Sequence, residues 1–99
     1  MDRCDADLVA WVLKGRQEAY AELVARHQDA VFNLALRMTH NHADATELAQ
    51  DAFVRAYAKL KLYDINYSFG NWVMSICANQ AKNLFRSRVR RQRAEETHL

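Results

Sequence analysis

Apolar positions recur along this chain at steps of three and four residues, and the rhythm breaks at three polar segments. That pattern predicts helices joined by short turns. Leu8, Val9, Trp11, Val12 and Leu13 make the first apolar cluster. Asp5 is placed to cap that short helix, and Gly15 to end it in a left-handed conformation. A second helix is predicted from about Gln17 to Thr39, with Tyr20, Leu23, Val24, Val31, Leu34, Ala35 and Met38 on one face, and it is expected to be the longest. His40-Asn41-His42 interrupts the period. Asp44 is expected to open a third helix, antiparallel to the second, with Leu48, Ala49, Ala52, Phe53, Ala56, Tyr57 and Leu60 on one side. From Lys61 to Ser68 the period fails again, leaving a loop that holds Tyr63, Asp64, Asn66 and Tyr67. Phe69, Trp72, Val73, Ile76, Cys77, Leu84 and Phe85 then mark a fourth helix that runs into arginines. Beyond Arg93 the chain is expected to fray.

Three long apolar stripes on a chain of this size can be buried only against one another. Val31, Leu34, Leu48, Phe53, Trp72 and Ile76 are therefore expected to share one core, in an all-α, compact bundle of about four helices. With no proline and only two glycines, the chain also lacks the turn residues that strands require. Its 99 residues suffice for one small domain, expected over 1–94 with a flexible tail over 95–99 and no second domain. Cys4 and Cys77 show no metal-ligand or redox spacing and read as reduced thiols of a cytoplasmic protein, Cys77 in the core. No apolar run approaches the ~18 residues that span a bilayer, so no membrane association is expected.

Charge changes the picture more than composition does. The net formal charge is only +2, yet Ile65 to Ala94 holds six bases (Lys82, Arg86, Arg88, Arg90, Arg91, Arg93) and no acid. Tyr67, Phe69 and Trp72 lie at the start of the same stretch. Flat rings beside fixed cations are what a single-stranded nucleic acid requires, because bases stack on the rings and phosphates pair with the cations. The alternative is a solvated helix end above core aromatics. The third helix has the opposite character: Asp44, Glu47 and Asp51 precede its first base, Arg55. Asp44 and Glu47 suit the positive end of a helix dipole. Asp51 lies deeper, with Gln50 beside it, and there a polar protein partner is expected.

Catalytic chemistry finds no support in the motifs. His40 and His42 lack a third ligand and the helical spacing of a zinc site, and His27 reads as a half-buried structural histidine. There is no phosphate-binding glycine loop, no nucleophile elbow and no acid/base carboxylate pair. No cofactor and no metal is expected, and the chain does not read as an enzyme.

From about Asp7 to Arg91 the sequence resembles region 2 of bacterial sigma factors, most closely the extracytoplasmic-function group. The specific part is the run Asp44-Ala45-Thr46-Glu47-Leu48-Ala49-Gln50-Asp51-Ala52-Phe53-Val54-Arg55-Ala56-Tyr57, followed by Ser68-Phe69-Gly70-Asn71-Trp72-Val73 and by Ile76 to Leu84. The resemblance implies that the third helix docks on the clamp helices of core RNA polymerase's largest subunit through Asp44, Glu47, Leu48, Gln50, Asp51 and Arg55. It also implies that the loop and last helix open the minus-ten promoter element and capture a flipped base of the non-template strand. On this basis Tyr63, Asn66, Tyr67, Trp72, Asn79 and Asn83 are candidate DNA-binding residues, with Tyr63, Asn79 and Asn83 together at the base pocket. Lys82, Arg86 and Arg90 would follow the DNA backbone, and Phe69 and Trp72 would hold the loop against the helix. The loop lacks the Arg-Gly pair common in relatives, which leaves base choice open. No part of this sequence corresponds to the family's second, minus-thirty-five-reading domain, so the chain is expected to be either a fragment or a single-domain relative, and promoter location by it alone is expected to be weak.

The function expected from this resemblance is a transcription initiation factor domain that binds core polymerase and melts the minus-ten element. An alternative is a sigma-like decoy that binds an anti-sigma factor without DNA. A general single-strand-binding bundle is a third, but it leaves Glu47, Gln50 and Asp51 without a role.

Overall fold

The computed structural model describes residues 3–97 of the chain. Its order is α1 (Asp5–Leu13), α2 (Glu18–Thr39), α3 (His42–Ala58), a short 3-10 turn (Leu60–Leu62) and α4 (Phe69–Thr97). No strand occurs among the described residues. Helix α2 is the hub, packing against α1, α3 and α4, while α3 and α4 close the bundle by packing on each other.

Each boundary has a local cause. Asp5 does not cap α1: the cap position is Cys4, with extended backbone and no side-chain bond. The Asp5 carboxylate instead reaches across to α2, where it meets His27 Nε2 at 2.7 Å and accepts from Arg26 Nη1 at 3.2 Å. Gly15 follows α1 at φ 103, the left-handed stop that its position predicts. Helix α3 begins earlier than expected because Asn41 caps it, its Oδ1 accepting the Asp44 N–H at 2.9 Å. Ser68 does the same for α4, its Oγ accepting the Asn71 N–H at 3.2 Å.

The longest helix is α4, with 29 residues against 22 for α2. It continues through Arg93 to Thr97, since the Arg, Gln, Ala and Glu residues there are good helix formers and no glycine or proline follows Gly70. The expected tail positions His98 and Leu99 lie outside the described residues.

The shared core forms, with adjustments. Val31, Leu48 and Phe53 are buried, and Trp72 and Ile76 are half-buried against the core. Leu34 is only half-buried, because Val31 and Ala35 take the inward line of α2. Tyr57 and Phe85 are exposed. Alanines at 45, 49, 52 and 56 give α3 a flat inner face, so its neighbours approach closely. Cys77 is fully buried among them.

One close approach fixes how α4 leaves the loop. A Cβ on Gly70 would stand 2.7 Å from His27 Nδ1, well inside contact distance. Gly70→Ala is therefore expected to push the imidazole aside, strain its bond to Asp5 and cost about 1–3 kcal/mol, as overpacked positions do. Thermal unfolding measures this, and the same substitution made in a His27→Ala background should cost much less.

Candidate functional site

At the base of α4 the rings form one cluster. Tyr63, at the start of the loop, sits 5.0 Å from Trp72 and 5.6 Å from Phe69, centroid to centroid. Phe69 is buried and also meets Tyr20 at 6.5 Å and His27 at 5.6 Å. The Tyr63 hydroxyl donates to the Tyr67 carbonyl, closing the loop over the ring. Burial raises the Tyr63 phenol above its ordinary pKa, with the Asp5 and Asp64 charges adding to it. Tyr63 is thus a half-buried strut of the loop.

Rigid turn chemistry presents the rest of the loop. The Asp64 Oδ1 accepts the Asn66 N–H at 2.9 Å, and the Asp64 carbonyl accepts the Tyr67 N–H at 3.0 Å, an Asx-type turn. The Asn66 side chain is exposed, and Tyr67 is 69% exposed, a free ring at the tip. Leu62 (80%) and Ile65 (65%) stand beside it.

Above the loop, Trp72, Asn79, Lys82, Arg86 and Arg90 succeed one another at steps of seven, three, four and four, which is one line along a helix. Asn79, Lys82, Arg86 and Arg90 are exposed, and no carboxylate interrupts the line. The Asn83 Nδ2 donates to Gln80 Oε1 at 3.3 Å, and its side chain lines the groove between α3 and α4. Asn79 stands two turns above Trp72, about 10 Å along the axis, and Asn83 about 16 Å. Asn79 and Asn83 thus stand at different heights above the Tyr63–Trp72 contact.

The acidic face of α3 is largely compensated from within. Arg88 donates through Nη1 and Nη2 to Asp44 Oδ2 and Oδ1, at 2.8 and 3.0 Å. Asp51 Oδ2 accepts from Arg55 Nε at 2.8 Å and from Gln80 Nε2 at 3.1 Å. The Arg88 hydrogen bonds hold the Asp44 carboxyl below the ordinary range, and those of Arg55 and then Gln80 do the same for Asp51. Lowered carboxyl pKa values stabilise the fold above the ordinary carboxylate range and lose that effect as pH falls through them. Neither carboxyl titrates near neutrality.

Leu48 is 8% exposed and forms the floor of the ≈420 Å³ groove that Asp44, Glu47, Asp51, Asn83 and Arg88 border. Glu47 is exposed at its rim and makes no hydrogen bond or ion pair to the described residues. Gln50 turns to the other side, where with Val54 and Tyr57 it borders an apolar groove of ≈590 Å³ between α2 and α3. The residues missed on this face are Gln80 and Arg88. The sequence counts Arg88 with the other bases, and only the α3–α4 contact separates it from them. No group of three or more metal-ligating side chains occurs among the described residues, and no described helix is long and apolar enough to cross a membrane.

Sequence and fold both match a known family. The Sigma-70 region 2 model covers residues 23–91, and the chain belongs to that family. Similar relatives within it include ECF factors. The ECF RNA polymerase sigma factor SigW of Bacillus subtilis (strain 168) is 37% identical over 84 residues, covering 85% of this chain and 43% of the relative. The ECF RNA polymerase sigma-E factor of Escherichia coli (strain K12) is 36% identical over 87 residues, covering 88% and 45%. This chain thus spans less than half the length of either relative. An engineered region 2 of sigmaE, solved by NMR in complex with GTAAAA, superposes with a TM-score of 0.82 at 38% identity, covering 92% of this chain and 97% of that one.

Proposed function

We propose that this chain is the minus-ten module of a transcription initiation factor, docking on core RNA polymerase through α3 and holding the non-template strand on the loop and α4. One observation carries the reading: a solvent-facing line runs from Tyr67 and Trp72 through Asn79 to Lys82, Arg86 and Arg90 without a carboxylate. The structural neighbour's complex with a short DNA-like sequence supports it. Bases stack on Tyr67 and the open face of Trp72, Asn66 and Asn79 offer amide donors and acceptors, and the cations follow the phosphates. On α3, Glu47 forms the accessible centre of the polymerase contact, with the Asp51–Arg55 pair beside it and Leu48 beneath, and Gln50 extends the contact onto the adjoining face. Asp44 is engaged by Arg88 and stands apart from that centre. The module works by binding, with no catalysis of its own, in the cytoplasm where polymerase and promoter are found. An anti-sigma factor would compete for the same docking face.

A fluorescence titration tests the reading. Single-stranded minus-ten non-template DNA is expected to bind more tightly than its complement. Tyr67→Ala and Asn79→Ala should erase much of that preference, with stacking worth about 1–3 kcal/mol per base. Lys82→Ala and Arg86→Ala should weaken all sequences alike and flatten the salt dependence by about 0.7 for each phosphate no longer neutralised. Equal affinity for the two strands in wild type would reject base capture and favour the decoy.

A further inference from the structure

We infer that Asp44 is a positioning residue for DNA binding: through its ion pair with Arg88 it ties the projecting half of α4 to α3, and so sets the direction in which Lys82, Arg86 and Arg90 meet the phosphates. The inference rests on the nucleic-acid reading above.

The buried stripe of α4 runs through Gly70, Val73, Cys77 and Ala81. Leu84 is half-buried, and from Phe85 to Glu96 every residue is exposed. Little apolar burial holds that half, its largest apolar side chains, Phe85 and Val89, being 39% and 46% exposed, and a helix of this length is marginal in water on its own. The molecule measures 61 × 23 × 22 Å, elongated because α4 leaves the body.

Arg88 stands where the stripe runs out. It follows Ala81 by seven residues and Leu84 by four, so it lies on the inward line. Arg86 and Arg90 are two residues to either side and point nearly the opposite way. Its guanidinium is therefore directed at the body, where it grips both Asp44 oxygens. The bidentate form fixes direction as well as distance. Asp44 is itself anchored: the Asn41 cap holds its N–H and its side chain is only 18% exposed. The carboxyl, below its ordinary pKa under the Arg88 hydrogen bonds, stays charged at physiological pH.

Two accounts of this pair predict opposite signs. If Arg88 were simply a cation withheld from DNA, releasing it would tighten binding and steepen the salt dependence. As a tether, its loss leaves the contacting cations unchanged in number but poorly aligned. Affinity then falls while the salt slope holds.

The experiment uses the whole chain with Asp44→Asn, Asp44→Glu and Arg88→Gln, each verified as folded by circular dichroism. Amide hydrogen exchange reads the order of α4, and titration with single-stranded minus-ten DNA at several salt concentrations reads binding. Asp44→Asn and Arg88→Gln are each expected to speed exchange beyond Leu84 and weaken DNA binding by about threefold, the scale of one exposed ion pair. Exchange over 69–81 and the salt slope should be unchanged, and Asp44→Glu should restore most of the loss. Unaltered exchange beyond Leu84 would overturn the tether, as would tighter binding by Asp44→Asn with a steeper slope. A loss confined to Arg88→Gln with a flatter slope would also overturn it, making Arg88 a direct phosphate ligand. If wild type shows no strand preference, the base-capture reading fails separately, and the exchange data still decide whether Asp44 orders the helix.

Discussion

Phe69→Ala is expected to destabilise the domain by about 3–5 kcal/mol, the range for deleting a buried aromatic ring. Small domains have about 5–15 kcal/mol in total, so this one substitution removes a large share. Phe69 is 1% exposed and meets Tyr20, His27, Tyr63 and Trp72. Its loss opens a cavity where α2, α4 and the loop converge. Urea unfolding gives the stability change. Strand preference, measured under conditions where the variant remains folded, should also fall because Tyr63 loses the ring against which it braces the loop. A change below about 1 kcal/mol would mean that the cluster can collapse onto the gap.

Glu47→Arg is expected to have the largest effect on partner binding, lowering core-polymerase affinity by about 2 kcal/mol or more, close to thirtyfold. Its side chain makes no hydrogen bond within the described part of the fold, but its charge also faces Arg88, so the loss is assigned to the interface only where the Arg88–Asp44 pair is shown to be intact. Asp51→Arg would confound the result, since it also breaks the bonds to Arg55 and Gln80. Circular dichroism should be unchanged, because exposed positions seldom move stability by more than ~0.5 kcal/mol. Wild-type affinity of a folded Glu47→Arg chain in a core-enzyme pull-down would remove α3 as the docking helix.

Helix number, the loop, the core members Val31, Leu48 and Phe53 and the buried thiol of Cys77 were legible because each follows from period and hydrophobicity alone. Features decided by a second helix were not. The 3.6-residue period places Leu34 and Val31 on nearly the same face, and only the packing of α3 and α4 selects Val31 and Ala35. Asn79 and Asn83 look alike at a spacing of four and both are exposed, but the small rotation between them brings Asn83 to Gln80 and the α3–α4 groove. Arg88 reads as one more base until Asp44, 44 residues earlier, is brought beside it. Asp5 follows the cap rule, yet His27 and Arg26 offer its carboxylate stronger partners.

Helix α4 runs unbroken from a base wedged at Gly70 to an end beyond the arginines, and such a rod transmits displacement as a lever. With Ala81 as fulcrum, about 16 Å of helix lies on the loop side and about 24 Å on the far side. Unrestrained, a shift of about 1 Å at Gly70 would swing the far end by roughly 1.5 Å in the opposite direction, and the Arg88–Asp44 pair is what resists that swing. That motion is half the length of a charge-assisted hydrogen bond. The imidazole that sits where a Gly70 methyl would go is thus a stop at the short end of a lever, and the aim of the distant cations depends on the space left by one missing carbon.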